Sequence, residues 1–161
     1  MKPRVYIETT VISYLTAWGS PHLMLAAQQE TTRLWWGEQR DHYDLFISEV
    51  VLLEASAGDP SAAKFRLDAL RGIPELEITD DIRDLAQSIL KGSNLPEKAK
   101  LDALHIAIAT MNGMDYLLTW NCRHIANATL QRTMRETCAA LGLMLPVICT
   151  PTELVEVNDD D

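Results

Sequence analysis

Short apolar runs alternate with longer stretches of helical periodicity along this chain. Val5-Tyr6-Ile7, inside residues 4–8, is rich in β-forming side chains and predicts a short buried strand. Residues 43–47, 75–78, 116–119 and 146–149 repeat that pattern. Between them, Thr9-Thr10 offer hydroxyls suited to capping a short helical turn through Val11 and Leu15, which Gly19-Ser20-Pro21 breaks. From residue 22 to about 40, Leu23, Ala26, Ala27, Leu34 and Trp35 recur at a helical period. Ser48-Glu49 opens a helix running to about Ala57 and stopped by Gly58-Asp59-Pro60, and residues 61–70 form another, closed near Gly72. Thr79-Asp80-Asp81 caps a helix reaching about Lys91. Pro96 starts a long helix with Leu101, Leu104, Ile108 and Met111 on its apolar side, ended by Gly113. Residues 127–141, closed by Gly142, predict the last helix.

Apolar strands interleaved with helices imply a parallel sheet covered on both faces. The fold class expected is α/β, a three-layer α/β/α arrangement around a short, mainly parallel sheet. No repeat or composition break divides the chain, so residues 1–155 read as one domain followed by an acidic disordered tail at 156–161. Ligands of such sheets sit beyond the carboxyl ends of the strands. Glu8 and Asn121 both fall at such ends, which suggests that their strands are neighbours.

Bulk properties narrow the chemistry. The chain has 161 residues, enough for a real core, and its 47% hydrophobic content is ordinary for a globular protein. No apolar run reaches the roughly 18–20 residues that span a bilayer. The first seven residues carry two basic side chains but lead at once to Glu8, which does not fit a signal peptide. Cys122, Cys138 and Cys149 are odd in number and lack zinc-ligand spacing, so free thiols in a reducing cytoplasm are expected. The net charge of −9 argues against broad, non-specific binding to nucleic acid. Part of that imbalance comes from Asp159-Asp160-Asp161, and Lys91, Lys98, Lys100, Arg123, Arg132 and Arg135 are candidates for a local basic rim.

The chemistry concentrates on Glu8, Glu54, Asp102 and Asn121, each of which ends or follows an apolar run. A buried charge needs a partner, and a divalent cation is the simplest partner for several gathered acids, because hard cations take oxygen ligands. Asp102 is the sharpest of the four. Aspartate is a poor helix-interior residue, yet here Leu101, Leu104, Ile106 and Ile108 surround it; an ion pair with Lys98 is the plain alternative. His105, one turn on, is read first as a hydrogen-bonded histidine at the core edge, and otherwise as an orienting partner of Asp102 or a phosphate contact. Asn121 suits an Asx turn or the holding of a water or phosphate oxygen. Thr9, Thr10 and Thr119 supply hydroxyls nearby, and Arg123 and His124 follow Asn121. Trp35, Trp36 and Trp120 fit core packing better than base stacking. No GxGxxG, P-loop, GxSxG or HExxH pattern occurs.

Four segments together resemble the PIN-domain ribonucleases, specifically VapC-type toxins of bacterial and archaeal toxin–antitoxin pairs. They are Val5-Tyr6-Ile7-Glu8-Thr9-Thr10-Val11-Ile12, Ile47-Ser48-Glu49-Val50-Val51-Leu52-Leu53-Glu54, Lys100-Leu101-Asp102-Ala103-Leu104-His105-Ile106-Ala107 and Tyr116-Leu117-Leu118-Thr119-Trp120-Asn121. Their order and spacing cover about residues 4–150. The resemblance implies a PIN-like fold, metal binding by Glu8, Glu54 and Asp102, and catalytic support from Asn121. It implies Mg²⁺- or Mn²⁺-dependent hydrolysis of RNA, a cognate antitoxin protein, a homodimer, no membrane and a cytoplasmic location. Two positions depart from the pattern: Glu8 stands where aspartate is usual, and Asn121 where aspartate is frequent. The competing readings are a PIN-like module that binds a protein or RNA without turnover, and a phosphatase or phosphoacceptor domain. The latter would need an aspartate just after the first strand, and Glu8 fits it poorly.

Overall fold

A computed structural model describes residues 1–158 of the chain. The three aspartates of the expected tail lie outside the described residues. Five strands, β1 (Arg4–Ile7), β2 (Asp44–Ser48), β3 (Glu75–Leu76), β4 (Tyr116–Leu118) and β5 (Val147–Cys149), form one parallel sheet in the order β3-β2-β1-β4-β5. The helices are α1 (Thr9–Thr16), α2 (Leu23–Leu34), α3 (Glu49–Ala55), α4 (Pro60–Leu70), α5 (Asp80–Gly92), α6 (Lys100–Met111) and α7 (Ala128–Ala140). They pack in two groups, α1 through α4 on one another and α5 through α7 on one another. This is the three-layer α/β/α arrangement that the apolar pattern implies.

The chain builds the sheet outward from β1 through β2 to β3, then returns to β4 on the other side of β1. The β1/β4 boundary is therefore where strand order reverses, the place where open α/β sheets leave a crevice at the carboxyl ends. Both strands are buried along that seam: Val5, Tyr6, Ile7, Leu117 and Leu118 are fully enclosed. Ile7 sits in register with Leu118, and the Glu8 amide continues the ladder to the Leu118 carbonyl at 3.0 Å. The residues that follow the two strands are thus held side by side by backbone hydrogen bonds.

Local details differ from the sequence reading in four places. Glu8, not a threonine, caps α1, its carboxylate accepting the Thr10 amide; a carboxylate also suits the positive end of a helix. The long helix expected from residue 22 to about 40 is α2 followed by a π-helical turn at Trp35–Gln39 and a 3₁₀ turn at Arg40–His42. Another 3₁₀ turn, Glu97–Ala99, separates Pro96 from α6. Leu101 does not join the apolar side but is 44% exposed, whereas every residue from Ala103 to Thr110 is buried. A helix enclosed all round is the sign of a core element, and α6 packs on both α5 and β4. Among the described residues, no helix is long and apolar enough to cross a membrane.

Candidate active site

Glu8 leaves β1 and turns into α1. Burial reaches it almost completely, with 3% exposure. Its oxygens are held from three directions. Oε1 accepts the hydroxyls of Thr10 at 2.6 Å and Thr119 at 2.5 Å, and Oε2 accepts the Thr10 amide at 3.0 Å. Thr10 also takes the Trp120 amide on its hydroxyl oxygen at 2.8 Å, and Thr119 takes the Asn121 amide at 2.9 Å. The two threonines thereby tie the start of α1 to the segment leaving β4.

Glu54 comes from the last turn of α3, half-buried. Its Oε1 accepts the Thr9 hydroxyl at 2.8 Å and meets Nε2 of His105 at 2.5 Å. His105, on α6, is wholly buried. Its Nδ1 lies 2.7 Å from the Tyr6 hydroxyl, which in turn lies 2.7 Å from the Ser48 hydroxyl. Ligand atoms of Glu8, Glu54 and His105 all lie within 4.8 Å of one another. His105, expected at the core edge, therefore stands against the site, bonded to Glu54 and not to Asp102. Sequence reasoning misses Tyr6 and Ser48 as parts of the site. The available signal is a hydroxyl-bearing ring in an apolar strand, and a serine two residues beyond its register partner Phe46.

Asp102 lies on the rim beside this trio, in the first turn of α6. Its Oδ1 accepts the Asn121 side-chain amide at 3.0 Å, and its Oδ2 pairs with Nδ1 of His124 at 2.9 Å. The ion pair to Lys98 does not form; Glu97 instead pairs with Lys100. Asn121 does form a turn: its Oδ1 accepts the amides of Arg123 at 3.3 Å and His124 at 3.0 Å. Its side chain is thus committed to the turn and to Asp102. Each of the two acids borne on helices has an imidazole partner, His105 for Glu54 and His124 for Asp102.

Charge follows from these contacts. Burial alone would push the Glu54 carboxyl up, but the hydrogen bond and charge of His105, with the Thr9 hydroxyl, hold it below its ordinary value. Burial likewise would lower His105, yet the bond to Glu54 and the charges of Glu8, Glu54 and Asp102 raise it. Burial drives the Tyr6 phenol far up, so it stays a neutral hydroxyl.

The donor set suits a hard divalent cation. Glu54 Oε2 has no hydrogen-bond partner among the described residues, each Asp102 oxygen accepts a single bond, and Glu8 Oε2 accepts one. A carboxylate oxygen can accept two, so acceptor capacity remains on all three acids. Trp35 and Trp120 are structural. Trp35 is 2% exposed and donates to the Leu154 carbonyl at 2.7 Å. Trp120 is 8% exposed, stacks on Tyr14 and donates to Thr32 at 2.7 Å. The three cysteines are unpaired, and burial pushes the Cys149 thiol up to about 12.

No family model matches this chain, and no curated protein does. Among solved structures, it is similar to the Mycobacterium tuberculosis toxin VapC20, which cleaves the sarcin-ricin loop, with 17% identity and a TM-score of 0.57. The likeness covers 74% of this chain and 92% of VapC20. What the two proteins share is the fold, which in this chain is a PIN-like sheet with its strand order reversed between β1 and β4.

Proposed function

We propose that this protein is a metal-dependent endoribonuclease, the toxin of a toxin–antitoxin pair. One observation carries the reading. Glu8 and Glu54, from separate segments, converge with His105 within 4.8 Å of one another at the carboxyl ends of β1 and β4, and Asp102 is tied to Glu8 through Asn121 and Thr119. Nothing in the packing of the core requires three acids there, and their mutual repulsion favours a cation. The fold shared with an RNA-cleaving toxin supports RNA as the substrate. A small basic antitoxin suits a chain of net charge −9, and a homodimer accords with the same reading. Three unpaired thiols suit the reducing cytoplasm.

Glu8, Glu54 and Asp102 would hold Mg²⁺ or Mn²⁺. When bound, such an ion lowers the pKa of water and neutralises charge developing on a phosphate. The protein's own residues supply position. Thr10 and Thr119 fix the rotamer of Glu8, Thr9 and His105 fix Glu54, and Asn121 and His124 fix Asp102. Asn121 serves the centre by orienting Asp102 and by shaping the turn that carries Arg123. Arg123, exposed and two residues beyond Asn121, is a candidate to meet the phosphodiester backbone.

RNA cleavage assayed with Mg²⁺ or Mn²⁺, and with a chelator, tests the proposal. Asp102→Asn removes one negative charge at constant shape. Cleavage should fall by about 10²-fold or more, the scale of losing one electrostatic group from a preorganised site. Thermal stability without metal should hold or rise, because like charges are relieved. Parent-level cleavage by Asp102→Asn, or cleavage undiminished by chelator, would overturn the reading. Partner binding with no turnover at any Mn²⁺ concentration would favour a non-catalytic module instead.

A further inference from the structure

His105 is close enough to the acids to pass for a third metal ligand. Its hydrogen bonds say otherwise. Nε2 lies 2.5 Å from Glu54 Oε1, and an ionised carboxylate oxygen only accepts, so Nε2 carries the proton. Nδ1 is taken by the Tyr6 hydroxyl at 2.7 Å. If the ring is neutral, Tyr6 donates to Nδ1 and Ser48 donates to Tyr6. If it is cationic, Nδ1–H donates to Tyr6 and Tyr6 donates to Ser48. In both states Nε2–H points at Glu54, and the one lone pair the neutral ring has, on Nδ1, is already taken by the Tyr6 hydroxyl.

We infer that His105 is a positioning residue for Glu54, anchored by a buried relay Ser48–Tyr6–His105 that leaves the cation to oxygen ligands alone. All three relay members are fully buried, so they hold their geometry without exchange with water. They come from β2, β1 and α6, and the relay transmits the rigidity of the sheet to a glutamate on the last turn of α3, a helix of seven residues. Glu54 is half-exposed and long, and without such a tether it would sample several rotamers. Oε2 is the oxygen left free, and the relay aims it. The inference rests on the metal-dependent reading above.

The test uses Mn²⁺ alone, without RNA. Calorimetric titration of the full chain compares the parent with His105→Gln, His105→Leu and Tyr6→Phe, each checked for folding by circular dichroism. Glutamine can keep an N–H donor at the place of Nε2, and an amide nitrogen is no metal ligand. His105→Leu should weaken Mn²⁺ binding by about 10–100-fold, the effect of losing an outer partner of a ligand. His105→Gln should recover most of that loss, and Tyr6→Phe should fall between parent and His105→Leu. The electron-spin-echo spectrum of the Mn²⁺-loaded parent should show no directly bound nitrogen, a readout that stands even where a variant fails to fold. A directly bound imidazole nitrogen, or His105→Gln as weak as His105→Leu, would make His105 a ligand and overturn the inference. Parent-like Mn²⁺ affinity in all three variants would overturn it too while leaving the nuclease proposal intact. A parent that binds no Mn²⁺ removes both.

Discussion

Arg123 sits in a turn held by a single side chain. Two amides of its turn are held by Asn121, and among the described residues its guanidinium makes no ion pair or hydrogen bond. In a chain of net charge −9, an exposed arginine on the turn that follows Asn121 is a candidate to recruit a polyanion. Arg123→Ala should therefore raise KM for RNA several-fold with little change in kcat, and reduce the salt dependence of binding by about one unit of slope. A fall in kcat at unchanged KM would place Arg123 in the chemical step instead. The candidate acids themselves are legible as residues, because a charge inside an apolar run is anomalous wherever it lies. Their partners are less so. A histidine inside α6 can face any neighbour, and only the tertiary arrangement pairs His105 with Glu54 and His124 with Asp102.

At the scale of elements, α5 and α7 meet closely. A methyl group added at Gly92 would lie 2.6 Å from the Thr137 hydroxyl oxygen, which already donates to the Thr133 carbonyl. Gly92→Ala should cost about 1–3 kcal/mol through overpacking. Combined with Thr137→Ala, the cost should vanish or reverse, since alanine favours helix over glycine by up to about 1 kcal/mol. Urea unfolding of the two single variants and the double variant measures the coupling; additive losses would refute a contact between these positions. The strands are readable from their β-branched and aromatic runs, and each lies within a residue or two of its expected place. Strand order is not, apart from the neighbourhood of β1 and β4, which follows from their shared chemistry. The π-helical turn at Trp35–Gln39 is hidden because helical periodicity in residues 22–40 does not register one residue too many.

For the whole molecule, the coupled charges at the site make stability depend on pH. Glu54 is held below its ordinary value, so it stabilises the fold above pH 4.5 and ceases to do so as pH falls through its folded pKa. His105 is raised, so it stabilises below pH 6.5 and ceases to do so as pH rises through its folded pKa. In chelator, thermal stability from this pair should therefore be greatest between pH 4.5 and 6.5. His105→Gln should erase the alkaline decline, and a parent profile that keeps rising beyond neutrality would contradict the assignment. Saturating Mn²⁺ should lift the melting temperature at neutral pH by mass action. A different bond sets the limit for engineering the protein. Because the Trp35 indole donates to the Leu154 carbonyl deep in the core, shortening the chain to residue 153 strands that N–H at a cost of about 1–3 kcal/mol. A chain ending after Val155 keeps the latch, so any affinity tag or fluorescent fusion belongs beyond that point.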